Sequence, residues 1–229
     1  MNKKILILQS NYVPWRGYFE MIRQVDLFVV YDHVQYTKND WRNRNQFIIN
    51  GKPHWLTVPV TVKNLNQKII DTQVPNNFWV KKHIKTLNQE YKKAPMYNSF
   101  ADELNKIYGY FLQDKYLVDI NRRLIMCICE YLNIKTEIIW EHKPDFSLNK
   151  NERLIDICKS FGGTTYVSGK NAQSYLDLAQ FEQNKLEVEW FDYPDFIHYP
   201  QLNTIKYYPN MSVLDSILNI GKNIFEHET

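Results

Sequence analysis

A chain of 229 residues with 44% hydrophobic and 23% charged residues has the composition of a globular protein and the length for one sizeable core. Its net charge of +3 is by itself too small for a strong nucleic-acid footprint, and no run approaches the roughly 20 apolar residues of a membrane span. The apolar run from Ile5 to Leu8 is too short for a secretion signal, and Cys127, Cys129 and Cys158 have no zinc spacing. Reduced thiols in a cytoplasmic protein are the expectation.

Lys4 to Gln9 reads as a buried strand. Tyr18, Met21, Ile22 and Val25 then recur at helical spacing, and Leu27 to Tyr31 is a second apolar run. Strand, helix and strand in this order predict a βαβ unit with parallel strands. Phe47 to Ile49 and Trp55 to Val60 flank Asn50-Gly51, the favoured pair for a type I′ hairpin turn. Pro53 and Pro59 place the second of these strands at an edge.

Asn76-Asn77 is read as the cap of a helix to Tyr91 with Val80, Ile84, Leu87 and Tyr91 on one face, stopped by Pro95. A longer helix is predicted over Leu117 to Leu132, with Ile120, Leu124, Ile128 and Tyr131 inward. A short strand, Glu137 to Trp140, follows. Next come a helix from Glu152 to Phe161 closed by Gly162-Gly163, a strand from Thr164 to Ser168, and the alternating stretch Leu186 to Phe191. Ser212 opens a last helix ended by Gly221. Strands alternating with helices predict an α/β, Rossmann-like fold with a mostly parallel sheet, flanking helices and an inserted β-hairpin. The expected organisation is one domain over 1–229, with a hairpin insertion at 38–62 and a helical segment at 75–135 packed on the sheet.

In open α/β sheets, ligands bind beyond the carboxyl ends of the strands. Two segments follow such ends. One runs from Gln9 to Tyr18 and holds Tyr12, Trp15 and Gly17. The other holds Asp32, Gln35, Trp41, Arg42, Asn43 and Arg44. Both are rich in amides, aromatics and arginines, and the two are expected to meet above one groove. Arg42 and Arg44, two apart, point the same way if the segment is extended, and two guanidinium forks suit phosphate or carboxylate. The helix turn at Gly17 is expected to offer backbone N–H groups to an anion. His83, beside an apolar helix face, is a candidate general base. Tyr199 and Gln201 are candidates for sugar hydroxyls, while His54, His142 and His227 have no evident partners.

These residues carry a resemblance. Gln9 to Tyr18, Asp26, Asp32 to Gln35, Trp41 to Arg44 and Trp55 to Val60 resemble the opening of the WbqC-like family. The likeness continues through His83, Tyr91 to Pro95, Thr165 to Gly169, Tyr199 to Gln201, Met211 to Asp215 and Gly221. Ser10 stands where the family pattern has proline, and His33 where it has a second aspartate. A second likeness is to nucleotidyltransferases of the HxGH type, with Trp15 and Tyr18 in place of the two histidines and Ser212 to Asp215 echoing a serine-rich phosphate motif.

The WbqC-like resemblance implies surface-polysaccharide biosynthesis in O-antigen and capsule clusters. The expected activity is a transferase modifying a nucleotide-linked amino sugar by N-acylation or aminoacylation. Asp32 or His83 would take the amine proton. Gln9, Tyr12, Trp15, Gly17, Tyr18, Gln35, Trp41, Arg42, Asn43, Arg44, Tyr199, Gln201 and Ser212 would bind substrate, with Arg42 and Arg44 on the diphosphate. The partners would be a small nucleotide sugar and an acyl or aminoacyl donor, with no nucleic acid; oligomeric state and cofactor stay open, and no metal cluster is read. The alternatives are a nucleotidyltransferase-like enzyme or ATP-dependent ligase, and a non-catalytic nucleotide-sugar-binding or assembly module.

Overall fold

The computed structural model describes residues 2–140, 142–145 and 147–226, and resolves into two compact units. The first comprises residues 1–9, 20–33 and 134–193. Its frame is a five-stranded sheet of β1 (Lys4–Leu8), β2 (Leu27–Val30), β5 (Glu137–Ile139), β6 (Thr165–Gly169) and β7 (Glu187–Phe191). Every pairing is parallel. Leu27 to Val30 are all buried, as expected of a central strand covered on both faces. The order across the sheet is β5-β2-β1-β6-β7. In chain order this runs third, second, first, fourth, fifth, the doubly wound Rossmann order, with its reversal between β1 and β6.

α5 (Lys150–Ser160) begins with a capping box: Asn149 accepts from the Glu152 amide at 3.0 Å and the Glu152 carboxylate accepts from the Asn149 amide at 2.9 Å. Gly162 after it has φ +67°. Gly163 has no room for a side chain, because a Cβ there would lie 2.5 Å from the Ile5 side chain. α6 (Leu178–Gln183) is a short helix with no strong periodic signal, capped by Asp177.

The second unit comprises residues 10–19, 34–133 and 194–229. α1 (Arg16–Arg23) starts here. β3 (Arg44–Ile49) and β4 (Lys52–Thr57) form a separate antiparallel pair, with Ile49 opposite Lys52. Asn50 and Gly51 have φ +51° and +73°, the positive pair that a type I′ turn requires. The second strand therefore starts at Lys52, earlier than its apolar residues indicate, and ends before Pro59, which has no N–H to continue the ladder.

α2 (Phe78–Tyr91) buries Trp79, Val80, His83, Leu87 and Tyr91, so His83 rather than Ile84 faces inward. Its first amide bonds to the Asn76 side chain at 3.2 Å, while the Asn77 side chain donates to the Leu112 carbonyl. Pro95 ends this helix, yet a further helix, α3 (Tyr97–Tyr110), starts two residues later and buries Phe100, Leu104, Ile107 and Tyr108. α4 (Leu117–Tyr131) buries Ile120, Leu124 and Ile128 as its periodicity requires. α7 (Val213–Ile220) is capped by the Ser212 hydroxyl and closed by Gly221 at φ +66°. No helix among the described residues is long and apolar enough to cross a membrane.

Candidate functional site

In the second unit the segment after β1 and the segment before β3 meet. The Tyr12 amide donates to the Trp41 carbonyl at 3.0 Å, and Arg42 Nη1 donates to the Asn11 side chain. Asn121 on α4 ties the same loops, donating to the Ser10 hydroxyl at 3.1 Å and the Arg42 carbonyl at 3.0 Å. Between the segments lies a pocket of about 280 Å³ lined by Asn11, Pro14, Trp15, Trp41, Asn45 and Asn210.

Its first wall is a strained turn. Val13 has φ +42° although it is β-branched and fully buried. Asn45, pointing inward from β3, holds this turn by donating to the Val13 carbonyl at 2.6 Å and the Tyr12 carbonyl at 3.3 Å. Trp15 is fixed by Gly17, since a Cβ there would come within 2.3 Å of the indole ring. It also meets the Phe196 ring edge-on at 6.2 Å and pairs by backbone with Ser212.

The second wall is aromatic and cationic. Trp41 is 41% exposed and packs on Trp55 with ring centroids 5.1 Å apart. The Arg44 guanidinium lies 4.2 Å over Trp55, and Arg44 Nη2 donates to the Asn39 carbonyl. Arg42 sits in the turn before β3, not in the strand, so the two arginines do not share a strand face. Arg42 instead meets Asn11 and, at 3.5 Å, Asp40. Arg44 has no carboxylate partner among the described residues.

The remaining residues singled out in the sequence lie elsewhere. Tyr12 and Tyr18 are buried. Gly17 is buried beneath Trp15, and the Tyr18 amide is taken by the Trp15 carbonyl at 3.1 Å, which leaves little of this helix turn for an anion. Asn43 pins the end of β4, donating from its side chain to the Val58 carbonyl at 2.8 Å and accepting the Val58 amide at its own carbonyl. Gln35 is exposed and donates to the Leu65 carbonyl. Gln9 and the buried Asp32 belong to the first unit.

Tyr199 and Gln201 turn inward to Asp215, at 2.7 and 2.8 Å, and Tyr91 donates to its other oxygen at 2.8 Å. Burial raises the Asp215 pKa, and these three donors act against the rise. The N-terminal amides of α7 are likewise committed: Val213 to the Pro14 carbonyl, Leu214 to the Ser212 hydroxyl and Asp215 to the Ser212 carbonyl.

His83 is 4% exposed, and its Nδ1 lies 2.9 Å from the Tyr12 hydroxyl, which in turn is 2.6 Å from the Tyr108 hydroxyl. Burial, helped by Lys82, lowers its pKa to about 4, against a hydrogen bond to the Thr57 backbone. The ring is neutral near pH 7 and is bonded on both sides, the arrangement of an anchor for the Tyr12 loop. Burial pushes the thiols of Cys127, Cys129 and Cys158 up to about 12, far from the range of a nucleophile. His142 packs against Phe161 at 5.1 Å, His54 faces Phe47 across the hairpin, and His227 lies outside the described residues. No metal-binding group of histidine, cysteine or carboxylate side chains occurs among the described residues.

Sequence reasoning found both segments and both pocket tryptophans. It missed Asn45, whose signal was its alternation with Arg44 in β3, and Asn210, which lies in a stretch without periodicity.

The pocket's chemistry is neutral. Indole faces stack on the C–H faces of a pyranose, and asparagine amides donate to and accept from hydroxyls, although here the Asn45 nitrogen is already held by the Tyr12 and Val13 carbonyls. No titratable side chain lines it. Small-molecule sites run from ~300 to ~1,000 Å³, so this one has room for a sugar ring and not for a whole nucleotide sugar.

The chain is 41% identical over 222 residues to the uncharacterized protein Rv1507c of Mycobacterium tuberculosis (strain ATCC 25618 / H37Rv), covering 96% of this chain and 94% of that one. No solved structure matches it. The model of the WbqC-like protein family matches residues 9–227, which takes in every residue of the pocket. The chain belongs to the WbqC-like protein family.

Proposed function

We propose that the protein is a transferase of surface-polysaccharide biosynthesis that acts on a nucleotide-linked amino sugar, with the sugar ring held between Trp15 and Trp41. The observation that carries this reading is the pocket lining itself: two indoles and three asparagine amides, brought together by a strained turn. Such walls suit a polyhydroxylated ring. Arg44, beside Asn45 and without a carboxylate partner, supports a negatively charged group flanking that ring. No acceptor of the amine proton is assigned among the pocket residues; His83, neutral and committed to Tyr12, fits a supporting role.

Calorimetric titration with a panel of nucleotide-linked amino sugars tests the proposal, followed by mass analysis after addition of acyl and aminoacyl donors. Trp41→Ala is expected to weaken binding at least tenfold, the order of one lost stacking contact. Unchanged binding in Trp41→Ala and Trp15→Ala overturns the assignment of the pocket. The absence of any titratable side chain from the lining favours a second reading, a non-catalytic sugar-recognition module. Under that reading the sugar binds tightly and is returned unmodified with every donor.

A further inference from the structure

Arg16 opens α1, next in the chain to the pocket wall Trp15, and is only 6% exposed. Its Nη2 donates to the Ile197 carbonyl at 3.0 Å and to the Tyr207 hydroxyl at 2.9 Å. Its guanidinium carbon lies 4.3 Å over the Phe196 ring and 5.5 Å over that of Tyr199. All of these partners are neutral. Nη1 is buried and has no hydrogen-bond partner. No carboxylate lies within ion-pairing distance among the described residues. The carboxylate that acts on it, Asp215, is already held by Tyr91, Tyr199 and Gln201.

A guanidinium taken from water with no anion in contact is costly, and an orphaned donor adds to that cost. Arginine is also the side chain whose planar donor fork fits the oxygens of phosphate and carboxylate. The Phe196 ring touches both Arg16 and Trp15, so the buried charge and the pocket wall share one neighbour. The cover over Arg16 is residues 194–211, a stretch outside the named helices and strands that is anchored at Tyr199 and Gln201 on Asp215 and also supplies Asn210 to the pocket. Its Ile205 is 99% exposed, an apolar side chain held by nothing at the tip of that cover.

We propose that Arg16 is an anion-binding residue that takes a phosphate or carboxylate oxygen of the ligand seated against Trp15, admitted when the 194–211 segment shifts. This rests on the proposed sugar pocket for the identity of the ligand, but not for the anion site itself. Arg16 is thereby distinguished from Arg42, whose guanidinium is occupied by Asn11 and Asp40.

The test uses the full chain at constant ionic strength with three probes: N-acetylglucosamine, its 1-phosphate, and inorganic pyrophosphate. The sugar phosphate is expected to bind at least tenfold more tightly than the neutral sugar, and pyrophosphate to raise the melting temperature. Both effects are expected to vanish in Arg16→Met, which keeps the stem packing and the affinity for the neutral sugar. If that variant does not fold, Arg16→Lys is expected to weaken the two anions several-fold while leaving the neutral sugar unchanged. A wild type indifferent to all anions, or an anion effect that survives in Arg16→Met and disappears in Arg44→Met, overturns the proposal. If pyrophosphate acts through Arg16 while no sugar binds, the anion site stands and only the sugar reading falls.

Discussion

The Tyr12 hydroxyl lies 2.9 Å from Nδ1 of His83, joining the strained pocket turn to the inner face of α2. Because burial lowers the His83 pKa to about 4, from about 6.5 in an unfolded chain, the burial of this ring carries a pH signature. The sign follows from proton uptake. Between these two values the unfolded state binds a proton and the folded state does not, so acid favours unfolding. Stability linked to His83 is complete above pH 6.5 and is lost as pH falls toward 4, by about 3 kcal/mol. Urea denaturation at pH 7 and pH 4.5, in the wild type and in His83→Asn, measures it as the part of the pH slope that the variant lacks.

Val13 reverses an ordinary ranking. In a buried extended position glycine is less stable than alanine by about 1 kcal/mol, for reasons of chain entropy. At φ +42° the cost of holding a β-substituted residue in the left-handed region works the other way. Val13→Ala is expected to lose about 1–2 kcal/mol of apolar burial while keeping that strain. Val13→Gly, relieved of it, is expected to be no less stable than the alanine variant. Chemical denaturation of the two side by side decides this.

Gly17 lies within α1, where replacement of glycine by alanine normally stabilises by about 1 kcal/mol. Here the new methyl would sit 2.3 Å from the Trp15 ring. Gly17→Ala is expected to lower the melting temperature, shift the tryptophan fluorescence and abolish ligand binding in the pocket, as Trp15→Ala would. A stabilised variant that still binds would refute the packing argument.

Asp215 gathers three donors in the interior. Asp215→Ala strands two tyrosine hydroxyls and an amide, an expected loss of about 3 kcal/mol or more. Asp215→Asn keeps an acceptor oxygen and is expected to lose less than half as much. Thermal melts of both variants, with Tyr199→Phe as a reference for one lost bond, give the comparison.

The frame was legible in the sequence because its signals are local. The apolar runs at Ile5 to Leu8 and Leu27 to Val30, the Asn50-Gly51 turn and the faces of α4 and α7 each announce themselves within a few residues. α3 was not, since Pro95 reads as an end and gives no sign that a helix restarts at Tyr97. Of the site, Trp15 and Trp41 stood out by residue type. What could not be seen is long-range pairing. Asn45 reaching back to Val13, Asn210 completing the wall and the burial of Arg16 depend on contacts across 32 or more positions, to which local periodicity is blind. The pairing of Arg42 with Asn11 is of the same kind: spacing alone puts the two arginines on one face, and their surroundings separate them.

The hairpin tip meets the stretch that covers Arg16. A Cβ on Gly51 would stand 2.2 Å from the Asn203 carbonyl oxygen, a collision with backbone that no rotamer change relieves. Any side chain at position 51 must therefore displace residue 203 and, with it, the covering stretch. A single methyl at position 51 is thus a way to wedge the covering stretch ajar from a residue that does not itself line the pocket.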